Sequence, residues 1–109
     1  MTPITKMLIA ALVLAGGATP CVALDKGKAR EIFDNYGCAS CHQPTEKLVG
    51  PALKDIAKRY KGKKVVGEVA NRIREGSEGR WGDMPHPANA VLEPADAELL
   101  AGWILSGAP

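Results

Sequence analysis

A chain of 109 residues has room for one small domain. Its 14 Lys and Arg stand against 12 Asp and Glu, a formal charge of +2, which excludes the strongly basic surface of a nucleic-acid binder. Aromatic residues make up only 5%, few large side chains for building a core.

The chain opens with Lys6, then the apolar run from Met7 to Ala15, then small residues. That run is shorter than the ~20 residues a membrane helix needs, and the order of charge, apolar run and small residues is that of a secretory signal. Cys21-Val22-Ala23 puts small residues where signal peptidase reads. Cleavage is therefore expected after Ala23, with residues 1–23 the signal peptide and residues 24–109 the mature domain, carrying no stable membrane insertion. Pro20, directly before Cys21, argues against a lipid-modified cysteine. Export implies an oxidising compartment, and only Cys38 and Cys41 remain after cleavage.

The first predicted helix runs from Asp25 to Tyr36, with Ala29, Ile32, Phe33 and Tyr36 at helical spacing, Asp25 as its cap and Gly37 as its stop. Cys38 to Gly50 reads as loop. Pro51 is expected to open a second helix through Ile56 to Tyr60, ended by Gly62. A third spans Val65 to Arg74, with Val66, Val69, Ala70 and Ile73 apolar. Gly76 to Val91 is broken by Gly76, Gly79, Gly82, Pro85 and Pro87, so regular structure cannot persist there. A loop this long in so small a domain reads as functional. Pro94 opens a last helix, with Asp96 and Glu98 in its first turn suiting the positive helix end, Leu99, Leu100, Trp103 and Ile104 on its apolar side, and Gly107 as its stop. The fold class is all-α, four short helices joined by loops.

Cys38-Ala39-Ser40-Cys41-His42 is the C-x-x-C-H signature of covalent c-type haem attachment. Two thiols add across the two haem vinyl groups, and the adjoining His42 reaches the iron as the proximal ligand. A haem would also supply a large rigid apolar group to a sparse core. A thioredoxin-like redox pair wants a βαβ context that the pattern lacks. A zinc site wants two further ligands at metal spacing, and His86 is the one other histidine. Met84 and His86, both in the Gly/Pro loop, are the candidates for the second axial position.

With these residues in place, the chain resembles the small bacterial class I cytochromes c of the type that donates electrons to periplasmic nitrite reductase. The resemblance spans residues 25–106. It is carried by Gly37-Cys38-x-x-Cys41-His42, Val49-Gly50-Pro51-Ala52, Arg72-Ile73, Gly76-Ser77-x-Gly79-x-Trp81-Gly82, Asn89-Ala90-Val91 and Leu100-Ala101-x-Trp103. It implies a class I fold wrapped around one haem c, held through Cys38 and Cys41. It further implies that Phe33 meets Trp103 at a helix crossing, that the Pro51 carbonyl accepts from His42, and that Arg72 and Trp81 bond a haem propionate. Asn89 is placed beside the distal ligand. The family reads Trp-Gly-x-x-Pro-Met-Pro-Pro-Asn, whereas this chain has Trp81-Gly82-Asp83-Met84-Pro85-His86-Pro87-Ala88-Asn89. His86 falls in the methionine's register, and Met84 keeps the Met-Pro dipeptide two residues early, about 7 Å of extended chain. Met84 is taken as the distal iron ligand, with His86 as its rival.

The function expected is that of a monomeric periplasmic electron carrier, not an enzyme, passing one electron between redox protein partners and binding no nucleic acid. Lys54, Lys58, Arg59, Lys61, Lys63 and Lys64 form a basic patch that would suit an acidic partner. The alternatives are a gas-binding or sensory haem module, which needs an open sixth position, and a haem subunit of a larger redox enzyme complex.

Overall fold

The computed structural model describes residues 24–109; the expected signal peptide lies outside the described residues. Four α-helices follow one another: α1 (Lys26–Asn35), α2 (Leu53–Arg59), α3 (Val66–Glu75) and α4 (Pro94–Leu105). Among the described residues the extended pairing is limited to two isolated bridges, His42 with Lys47 and Ser77 with His86. No helix among them is long and apolar enough to cross a membrane.

The Asp25 carboxylate caps α1 by accepting from the Lys28 amide at 3.0 Å, satisfying one of the free amides of the first turn. Ala29, Ile32 and Phe33 form the buried stripe of α1. Tyr36 closes the helix instead of continuing it, and Gly37, at φ 77°, turns the chain away. The segment expected to be plain loop then opens with a 3₁₀ turn over Cys38–Ser40, in which the Cys41 and His42 amides both donate to the Cys38 carbonyl at 3.2 and 3.0 Å.

Pro51 does not open the second helix. The helix starts at Leu53, and Ala52 is its extended cap (φ −61°, ψ 145°). The reason is the extended Ala52, which turns the Pro51 carbonyl out of the helix ladder. The Pro51 carbonyl would take the Asp55 amide in a longer helix, but it accepts from the His42 ring at 2.7 Å, and the Asp55 amide donates to Ala52 instead. The amides of Leu53 and Lys54 donate outward to the carbonyls of Gln43 and Pro44 at 2.9 and 3.1 Å, so the loop caps the helix.

Helix α3 lies one residue later than expected, and Val66 at its start is exposed; only Ala70 is fully buried. Helix α4 starts at Pro94 with Asp96 in its first turn, as expected, while Glu98 falls beyond that turn. It is the hub of the molecule and packs against α1, α2 and α3. Its Ala97 and Ala101, fully buried like Ala29 of α1, keep the helices close, and Leu100, Trp103 and Ile104 fill the space between them. Phe33 and Trp103 meet edge to face at the α1–α4 crossing, with ring centres 5.7 Å apart.

Candidate functional site

Beside this core lies a cavity of about 660 Å³, within the range of cofactor sites. Its floor comes from Phe33, Leu53, Ile56, Val69, Leu100 and Ile104. One wall is the segment from Cys38 to Pro51, and the opposite wall is the loop from Ser77 to Asn89. All eight residues singled out for cofactor binding, Cys38, Cys41, His42, Pro51, Arg72, Trp81, Met84 and Asn89, line this one cavity.

The motif wall is built from backbone hydrogen bonds. The 3₁₀ turn sets Cys38 and Cys41 side by side as free thiols, each half-buried. Burial pushes the Cys38 thiol up, the Asp34 carboxylate and Cys41 add to this, and a backbone hydrogen bond opposes it. The Gly50 amide donates to the Cys41 carbonyl at 2.8 Å and draws the chain over His42. A Cβ at Gly50 would lie 2.6 Å from His42 Cε1, so any larger residue there would have to push the ring aside. His42 Nδ1 donates to the Pro51 carbonyl at 2.7 Å, which leaves Nε2 as the ring's lone-pair nitrogen.

The opposite wall is looser. Ser77 and His86 exchange backbone hydrogen bonds at 2.8 and 3.2 Å, and the Asn89 amide donates to Ile73 at 3.0 Å. Gly76 makes the close approach possible: it sits at φ 83°, and a Cβ there would meet the His86 carbonyl oxygen at 2.7 Å. Met84 is 65% exposed. The centre of the His86 ring lies 6.1 Å from that of His42, with the two planes tilted by 31°. Burial holds the His86 imidazole below its ordinary pKa and His42 adds to this, while the hydrogen bond from its Nδ1 to the Pro87 carbonyl, 2.9 Å, opposes it.

At one end of the cavity Arg72 donates to the Tyr60 hydroxyl at 3.2 Å and pairs with Glu68 at 3.4 Å. The cation lying on the Trp81 ring is Arg59, 4.3 Å from its centroid, which also donates to the Arg80 carbonyl at 2.6 Å. Arg59 is exposed like the lysines it was grouped with, but its side chain is tied to Arg80 and Trp81, two residues that line the cavity. Sequence reasoning missed Arg59 and Tyr60 as site residues. Their one signal was position, the last turn of a helix whose other face lines the cavity. Asn89 reaches back across the cavity to donate to the Tyr36 carbonyl at 3.4 Å.

The chain matches the family model for cytochrome c over residues 26–108. It is 46% identical over 76 residues to cytochrome c-551 of Pseudomonas aeruginosa, an alignment covering 69% of this chain and 72% of that protein. Cytochrome c-551 of Stutzerimonas stutzeri is 41% identical over 104 residues, covering 93% of this chain and 96% of that one. The crystal structure of wild-type cytochrome c552 of Nitrosomonas europaea superposes with a TM-score of 0.68 at 42% identity, over 72% of this chain and 98% of that chain.

The shape of the cavity fits a haem on its own terms. Its walls are mostly apolar, two adjacent thiols and one oriented imidazole stand on the same side, and Gly50 leaves clear the space beside the His42 ring that a side chain would fill.

Proposed function

The chain belongs to the cytochrome c family, and from that premise we propose that it is a monomeric periplasmic electron carrier holding one haem c through Cys38 and Cys41, and is not an enzyme. Haem c supplies one-electron chemistry, its iron alternating between ferric and ferrous states as an electron enters from a donor and leaves to an acceptor. The protein's part is to hold that group still and to present it. Cys38 and Cys41 clamp it on one side. His42 offers Nε2 as the proximal nitrogen, and the Pro51 carbonyl fixes its tautomer and orientation. The apolar floor excludes water, so little solvent has to reorganise when the charge changes. Arg72 and Trp81 line the cavity, with Arg59 stacked on the indole, and would supply a cation and an N–H donor to a propionate. Asn89 ties the distal loop to Tyr36.

The observation that carries this reading is the oriented His42 beside two thiols on the wall of one apolar cavity. Lys54, Lys58, Lys61, Lys63 and Lys64 are all exposed on one stretch of surface. They would give the weak, fast, salt-sensitive encounter that suits a redox protein partner. Residues 1–23 support export, with cleavage after Ala23. The test is purification from the periplasm. Haem should stay with the chain after denaturation, titrate reversibly with one electron, and be lost from the chain in Cys38→Ser/Cys41→Ser. A colourless exported chain, or haem extracted by acid and organic solvent, defeats the reading.

A further inference from the structure

We infer that His86, and not Met84, supplies the second axial ligand, so that the haem is held between two histidines. The inference rests on the haem-carrier reading above and adds to it the identity of the distal atom. The two rings lie on opposite walls of the cavity with centres 6.1 Å apart and planes tilted 31°. A ring nitrogen lies about 2 Å from a bound first-row metal and about 1.1 Å from its own ring centre, so two imidazoles on opposite sides of one ion have centres roughly 6 Å apart. The spacing matches.

Each ring is also prepared in the same way. His42 donates Nδ1–H to the Pro51 carbonyl and His86 donates Nδ1–H to the Pro87 carbonyl, at 2.7 and 2.9 Å. In the neutral ring such a bond puts the proton on Nδ1 and the lone pair on Nε2, as a metal-bound imidazole requires. The His86 backbone is fixed through both its amide and its carbonyl to Ser77, an approach that Gly76 alone permits. Met84 lacks that anchorage: both side chains are exposed, but among the described residues the Met84 backbone makes no hydrogen bond to the rest of the chain. Binding through Met84 would have to order a free segment first, whereas His86 is already positioned. Two imidazoles stabilise the ferric state more than a thioether and an imidazole do, so the carrier works at a lower potential than a methionine-ligated one.

The test is the absorption spectrum of the ferric holoprotein, read with the proton NMR spectrum of the ferrous form. The expected result is a low-spin spectrum without the weak far-red band of sulfur-bound ferric haem, and no methionine methyl resonance displaced far upfield by the ring current. Met84→Leu should leave both spectra unchanged. His86→Ala should lose the native low-spin spectrum and speed carbon monoxide binding at least tenfold. A sulfur band in the wild-type protein that vanishes in Met84→Leu overturns the inference, as does an unchanged spectrum in His86→Ala. The NMR measurement needs no variant, so a His86→Ala protein that fails to fold leaves the question decidable. Covalent haem with sulfur ligation would sink this assignment alone, whereas a chain without covalent haem would sink the function proposed above.

Discussion

The two walls of the cavity are built by different means. From Cys38 to Leu53 the chain is stitched by its own backbone: the 3₁₀ turn, the Gly50–Cys41 bond and the two amides of α2 bonded to Gln43 and Pro44. From Ser77 to Asn89 the ties are the Ser77–His86 bridge and the Asn89–Ile73 bond, and Trp81, Met84 and Val91 are exposed. The wall that carries the attachment motif is held along its length by backbone bonds, while the opposite wall is held at a few points, the Ser77–His86 bridge, Arg80 and Asn89, with, among the described residues, unbonded backbone between them. A clamp of this kind sets the position of a bound group from one side and adapts to it from the other.

The strongest way to break the contrast is to remove what both walls stand on. Trp103→Ala empties a 2%-exposed site at the α1–α4 crossing and should cost about 3–5 kcal/mol in denaturant unfolding. Both walls should then melt together. Gly76→Ala sharpens the contrast from the distal side. It demands φ 83° of an alanine and puts its Cβ against the His86 carbonyl, so a loss of about 3 kcal/mol is expected. The distal loop should loosen while the Cys38–Leu53 amides keep their exchange protection. Gly50→Ala attacks the motif wall, where the new Cβ meets the tip of a side chain and not backbone. The ring can yield, so about 1–2 kcal/mol is expected, with the displacement of His42 read in the absorption spectrum. Smallest in energy is a measurement without mutation. The amides of Gly50, Leu53 and Lys54 should exchange with solvent far more slowly than those of Gly79, Gly82 and Asp83, for which no backbone partner is found among the described residues. Equal rates would dissolve the distinction between the walls.

Much of this was legible in the sequence, because it depends on local signals. The Asp25 cap, the stop at Gly37, Pro94 at the head of α4 and the helical spacing of Ile32, Phe33, Leu100 and Trp103 all act within a turn or two of chain. The attachment motif is likewise contiguous. The start of α2 is not legible because the Leu53 and Lys54 amides that set it are bonded to Gln43 and Pro44 in the preceding loop, and Ala52 is extended. The stacking of Arg59 on Trp81 and the meeting of His42 with His86 are contacts across the cavity. No periodicity records them, and they need the trace of the loop through Gly76 before they can be seen.

The bond from His42 to Pro51 has one more consequence. A helix of seven residues, such as α2, frays readily at its ends. The acceptor that aims the imidazole lies just upstream of that helix, outside its ladder, on a proline whose own φ is locked by its ring. Thermal breathing of α2 therefore does not swing the ring. Winding Pro51 and Ala52 into an added first turn of α2, an obvious step for anyone seeking a sturdier protein, would swing that carbonyl along the helix axis and set the imidazole adrift.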